Sequence, residues 1–279
     1  MSEASHTFLT KELRLRILSA VVMVAVTLIV TWVGGFSFRM LCAGIGAAVF
    51  YEWLRMTKAQ TTASERQVSA LLMTTAGIIV LTAPGGALSF VMVAALVLLA
   101  FFAAPMLGST RWNATGLAYA SLAALSLALL RGSDVAGLKA VVFVFVVVWA
   151  TDIMAYFVGR TFGGPKLAPS ISPGKTWSGA AGGAVFALVF GMFAAFMMET
   201  RLAVGALLAL ILALSIGSQI GDLFESWLKR RFQVKDSSKL IPGHGGVMDR
   251  VDGLVAASLL LYVVGAVLAD ADRPALAFF

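Results

Sequence analysis

The chain has 279 residues, 60% of them hydrophobic and 13% charged, with a mean hydropathy of +0.93. An ordinary globular chain is about 25% charged, so a soluble fold is excluded. At roughly 20 apolar residues per membrane helix, nine helices would take about 180 residues and leave no room for a separate soluble domain. The 21 basic and 14 acidic residues give a net charge of +7. In so apolar a chain that excess points to membrane orientation and anionic lipids, not nucleic acid. The single cysteine, Cys42, excludes an internal disulfide and a multi-cysteine metal site.

The first apolar run, 17–33, follows Lys11, Arg14 and Arg16. It is long for a signal peptide and lacks a small-residue cleavage site, so it reads as a retained first helix. Further runs predict transmembrane helices at about 38–54, 68–82, 88–107, 115–131, 138–158, 177–198, 202–226 and 253–269. Pro84-Gly85-Gly86, Gly163-Gly164-Pro165 and Pro242-Gly243 mark breaks between runs. The expected fold is an all-α polytopic integral membrane protein of about nine transmembrane helices, with a cytoplasmic N-terminus. Residues 1–16 form a cytoplasmic segment and 17–140 the N-terminal transmembrane helices. Residues 141–279 form the C-terminal helices, with cytoplasmic loops at 159–176 and 227–252. This orientation places sixteen Lys and Arg residues on inner segments and five (Arg39, Arg131, Lys139, Arg201 and Arg273) on outer ones. That asymmetry obeys the positive-inside rule.

Four stretches carry candidate chemistry. Asp152 follows a long apolar run and lies roughly 10 Å along its helix from the inner loop. An acid there needs a cation, a metal or a hydrogen-bonding partner, and an ion pair with Arg160 or Lys175 would also satisfy it. Next, 172–179 reads Ser-Pro-Gly-Lys-Thr-Trp-Ser-Gly. Pro169 stands where a phosphate-binding P-loop needs glycine, so Lys175 is kept only as a phosphate contact. Gly179 and Gly183 at helical spacing suggest close helix packing. Ser218, Asp222, Glu225 and Ser226 share one face of the eighth helix.

Residues 226–252 are the densest stretch. Lys229, Arg230, Arg231, Lys235 and Lys239 supply positive charge, and Pro242-Gly-His-Gly-Gly246 lets backbone amides approach an anion. Asp249 and Asp252 stand three apart, on one face if the ninth helix begins there. Basic groups, a glycine turn and paired carboxylates together fit a Mg²⁺-polyphosphate site. His244 fits hydrogen bonding to phosphate or to the loop, because an ionised phosphate nucleophile needs no base.

The segment 226–252 resembles the signature of the phosphatidate cytidylyltransferase, or CDP-diacylglycerol synthase, family. The resemblance rests on Ser226, Lys229-Arg230, Lys235-Asp236, Pro242-Gly-His-Gly-Gly246 and Asp249-Arg-Val-Asp252. Upstream, Asp152, Ala155–Arg160, Ser172-Pro173, Lys175-Thr176-Trp177 and Gly221–Ser226 extend it over much of 150–253. Ser178 departs from the family's usual glutamate after the Trp.

The resemblance implies attack of phosphatidate on CTP to give CDP-diacylglycerol and pyrophosphate. It also implies a helical fold with a polar cavity open to cytoplasm and bilayer, often a homodimer, in a bacterial inner membrane. On this reading Asp222 and Asp249 hold Mg²⁺ on the triphosphate, with Asp152 and Asp252 beside them. Lys175, Lys235 and Arg250 contact phosphates. Ser226, Lys229, Arg230, Lys239, His244, Gly245 and Gly246 complete the substrate site. A second cation such as K⁺ is a further expectation for the carboxylates.

Two other classes fit less well. A transporter would use intramembrane acids, but the acids of 226–252 lie at the surface rather than the midplane, and the outer loops are poor in charge. A CDP-alcohol phosphotransferase would continue Asp252-Gly253 with an Ala-Arg pair, where this chain has Leu-Val-Ala-Ala.

Overall fold

The computed structural model describes residues 3–59, 62–107 and 110–279, with side chains from residue 13 onward apart from Leu107. The side chain of Lys11 thus lies outside the described residues. Among the described residues nine α-helices follow in order: α1 (Glu3–Val33), α2 (Gly35–Thr57), α3 (Ala63–Thr82), α4 (Gly86–Ala103), α5 (Trp112–Arg131), α6 (Val135–Phe162), α7 (Trp177–Met197), α8 (Val204–Arg231) and α9 (Met248–Leu268). Among the described residues, seven of these are long and apolar enough to cross a membrane; α2 and α3 are not in that group. The protein is a nearly all-α, multi-pass membrane protein. Among the described residues the paired strands are an antiparallel hairpin of β1 (Lys166–Ala168) and β2 (Ser172–Thr176), where a loop was expected.

Several helix boundaries differ from expectation: α1 already begins at Glu3, inside the segment expected to precede the first helix, and α6 runs to Phe162 instead of 158. Three further shifts have a local reason. α3 starts at Ala63 instead of 68 because Thr62 and Glu65 form a reciprocal capping box. α8 runs to Arg231, five residues beyond 226, since Leu228 extends its buried face. α9 begins at Met248 instead of 253, as first-turn amides meet a carboxylate from α2. The loops expected at 159–176 and 227–252 therefore shrink to 163–176 and 232–247.

α5 is the hub, the most deeply buried of the membrane-length helices among the described residues. At one end its Leu117, Ala120 and Ala123 pack with Val49, Phe50 and Trp53 of α2 and with Leu228, Met248 and Val251 of α8 and α9. Further along, Leu125, Ala128 and Leu130 pack with Val141, Val144 and Val148 of α6 and Ile211 and Leu214 of α8. α7 lies against α6 through glycines. A Cβ on Gly183 would sit 2.7 Å from the Thr151 carbonyl oxygen, and one on Gly179 would sit 2.7 Å from that of Ala155. The expected glycine packing seam is thus present.

The end of the bundle opposite the hairpin is closed by polar ties. The buried Arg131 donates to the carbonyls of Trp32 and Asp134, at 3.0 Å each, and of Thr31. Arg273 pairs with Asp134 at 3.0 Å, and the amide of Gly86 donates to Asp272. The amide of Arg201 and the hydroxyl of Thr200 both donate to the carbonyl of Phe278.

Candidate active site

The candidate site is built where α8 ends and α9 begins. α8 projects Asp222, Glu225, Ser226 and Lys229 from its last turns, and α9 projects Asp249 and Asp252 from its first. Gly221 and Gly253 let the two helices touch: a Cβ on Gly253 would lie 2.8 Å from the Ser218 hydroxyl. That approach brings carboxylate oxygens of Asp222, Glu225 and Asp252 within 4.8 Å of one another. Glu225 is 1% exposed, and among the described residues its Oε1 has no hydrogen-bond partner. A buried carboxylate oxygen left unmatched among two other acids is what a hard cation would satisfy.

Asp249 is not one of these three. Its Oδ1 pairs with Lys229 at 2.7 Å, and its Oδ2 accepts from the amide of Gly246 and the amide and hydroxyl of Ser237, at 2.9–3.0 Å. Lys229 also pairs with Glu225 at 2.8 Å. So Lys229, expected to touch substrate, is held between two carboxylates. The hydroxyl of Ser226 lies 3.5 Å from Asp222 on the same helix.

Asp222 faces two ways. It belongs to the acidic trio and also lines a cavity of about 550 Å³ between α6, the hairpin, α7 and α8. Asp152, Tyr156, Arg160, Lys166, Lys175 and Gln219 line the same cavity. Among the described residues Asp152 does not pair with Arg160 or Lys175. Lys175 goes to Asp222, and Arg160 donates to the Tyr156 hydroxyl at 2.7 Å. The strand β2 presents Lys175, and Thr176 then caps α7 by accepting from the Gly179 amide at 3.1 Å. Ser178 donates to the carbonyl of Gly163 and sits 3.0 Å from the Thr176 hydroxyl. It ties the base of the hairpin, so the glutamate's replacement does not open the structure here.

The connection 232–247 folds back on itself through Ile241 and Gly245, whose backbone hydrogen bond is 2.8 Å. Gly243 and Gly245 adopt φ of +77° and +85°, which glycine tolerates. His244 shares a 2.9 Å hydrogen bond with Ser19 of α1, which also lies 3.1 Å from the Pro242 carbonyl. Lys235, Lys239 and Arg250 are exposed, and Arg230 reaches the Ile171 carbonyl of the hairpin at 3.3 Å.

Two acids matter more than the sequence reading allowed. Glu225 was placed on the polar stripe but given no role. Glu52 was missed, although an acid inside an apolar helix is the signal that singled out Asp152. Glu52 is 0% exposed and accepts from Ser237, Ser238, Val247 and Met248. Beside it, Trp53 stacks on Tyr119 and Phe224, and the buried Tyr119 hydroxyl has no hydrogen-bond partner among the described residues.

The family model described as "Cytidylyltransferase family" matches residues 14–268. A phosphatidate cytidylyltransferase of Brucella suis biovar 1 is 47% identical over 270 residues, covering 96% of this chain and 98% of that protein. One from Bacillus subtilis strain 168 is 33% identical over 262 residues, covering 90% and 97%. One from Haemophilus influenzae is 50% identical over 126 residues, 43% of each chain.

Proposed function

The chain belongs to the cytidylyltransferase family, and from that premise we propose that it transfers the cytidylyl group of CTP to phosphatidate, forming CDP-diacylglycerol and pyrophosphate. One observation carries the reading beyond the family: Asp222 stands in both the acidic trio and the wall of the cavity, so a cation there would border a space large enough for a small ligand.

The donor set fits Mg²⁺, which takes carboxylate, water and phosphate oxygens. Asp222, Glu225 and Asp252 would hold it, in place of the Asp222–Asp249 pair. When bound, the ion offsets the charge of the triphosphate and stabilises the departing pyrophosphate. A second cation such as K⁺ has no separate donor set in this reading. Lys175, at the cavity wall, meets phosphate oxygens. Lys235, Lys239 and Arg250 surround the loop with positive charge that draws two anions together. The phosphatidate oxygen is already ionised at neutral pH and attacks the α-phosphorus of CTP in line, breaking its bond to pyrophosphate. His244, held by Ser19, orders the loop instead of moving a proton. Asp249 fixes Lys229 against Glu225. Asp152 orders groups in the cavity. The protein would work in a bacterial inner membrane, as a homodimer, with the site facing the cytoplasm.

The test is turnover by detergent-purified protein given labelled CTP, phosphatidate and Mg²⁺, with and without EDTA. We expect product only with the metal. Asp222→Asn, Glu225→Gln and Asp252→Asn should each lower kcat by about 10²–10³-fold, the scale of losing one preorganised electrostatic group. Normal turnover in all three folded variants would overturn the metal assignment.

A further inference from the structure

We propose that Glu52 is a positioning residue of this site: a carboxylate on α2 that holds the 232–247 connection and the first turn of α9 in place. Its consequence for turnover rests on the proposed reaction; its hold on the loop does not.

Glu52 is fully buried, and its two oxygens take two hydrogen bonds each. Oε1 accepts from the Val247 amide at 2.8 Å and the Ser238 hydroxyl at 2.6 Å. Oε2 accepts from the Met248 amide at 2.7 Å and the Ser237 hydroxyl at 3.1 Å. The amides of Val247 and Met248 stand at the start of α9, where donors have no partner within the helix and the helix dipole favours a negative charge. Glu52 therefore caps α9 from another helix, with four donor groups around its two oxygens, the single Ser237 proton being shared with Asp249.

A carboxylate buried only to fill space would be a poor choice, since an apolar residue of similar size would do as well or better. What the charge adds is direction. Ser237 touches both Glu52 and Asp249, Asp249 holds Lys229, and Lys229 holds Glu225 of the acidic trio. The line of contacts joins α2 to the candidate metal ligands in four steps. Moving Glu52 releases Ser237 and the first turn of α9, which carries Asp249 and Asp252.

The experiment uses the full-length protein in detergent. Hydrogen–deuterium exchange is read across the chain, and kcat and KM are measured with CTP, phosphatidate and Mg²⁺. In Glu52→Gln, the amide nitrogen cannot accept, so two of the four donors lose their partner. Exchange should rise over 237–249 and stay unchanged in α5. Turnover should fall about 100-fold, as for a roughly 1 Å misplacement, with KM for CTP changing less than about threefold. Glu52→Asp keeps both acceptor oxygens and should recover part of the loss. Unchanged exchange over 237–249, or unchanged kcat, overturns the proposal. So does exchange that rises equally through α2 and α5, which would mark a core-stability role. If Glu52→Gln does not fold, Ser238→Ala removes one donor and leaves the α9 cap. It should show the same local rise with a smaller fall in kcat, and its absence is equally fatal. Should the wild type fail to convert CTP while Glu52→Gln still loosens the loop, the anchor stands and the reaction assignment falls.

Discussion

Gly246 has no side chain because there is no space for one. A Cβ there would lie 2.7 and 2.8 Å from the two oxygens of Glu52, and against the hydroxyl of Ser237. Its amide is also used, donating to Asp249 at 2.9 Å. We expect Gly246→Ala to destabilise the protein by about 1–3 kcal/mol, the usual effect of overpacking a tight interior. Turnover should fall by more than the loss of folded protein explains, and thermal melting beside a kcat measurement checks both parts. From the sequence, the Pro242–Gly246 run reads as a turn whose amides could approach an anion. The structure gives Gly246 an internal anion to admit. Asp222, Asp249 and Asp252 could be singled out because they sit within a short stretch. Glu52 could not be joined to them, because its partners lie 185 to 196 residues further along the chain.

At the scale of elements, periodicity found the nine α-helices of the described residues, and local chemistry moved some of their ends. α3 gained a turn from its capping box, and α8 gained one from a buried leucine. Hydropathy alone sees neither, because both stretches are polar on average. The hairpin escaped for a related reason: Ser172-Pro-Gly-Lys-Thr176 has no apolar alternation, and it is held by its pairing to Lys166–Ala168 and by the cap on α7. The cap of α6 offers a pH test. Burial raises the pKa of Asp134, but the hydrogen bond from the Gly137 amide and the contact with Arg273 outweigh this and leave it below the ordinary carboxylate value. Its stabilisation is therefore present above the unfolded-state pKa and disappears as pH falls through the lower folded-state value. Wild-type protein should melt above Asp134→Asn at neutral pH, and the gap should close in acid. A gap that widened in acid would mean that Asp134 is not held as the anion.

Across the whole molecule, charge divides by end. Arg55, Lys175, Lys229, Lys235, Lys239 and Arg250 belong to the end that carries the site, while Arg131 and Arg273 tie the other. With the site end cytoplasmic, a membrane-impermeant maleimide should label Arg273→Cys in intact bacterial cells and Lys239→Cys only after permeabilisation, both in a Cys42→Ala background. The opposite pattern would reverse the orientation. Hydropathy made the helices legible as segments, and the basic residues made an orientation expected, which the labelling tests. The arrangement of the helices around α5 was not legible, because a run of Ala and Leu such as 123–130 reads the same whether it faces lipid or protein.

The cross-chain hold of Glu52 also limits how the protein can be recombined. The stretch from Ser226 to Asp252 looks like a portable cassette, yet part of its support is a single carboxylate from a helix near the other terminus. A chimera that transplants the cassette between relatives should keep its shape only where the recipient offers an acid at the same height on its second helix. Shuffling breakpoints between 52 and 237 would therefore separate partners that have to be inherited together.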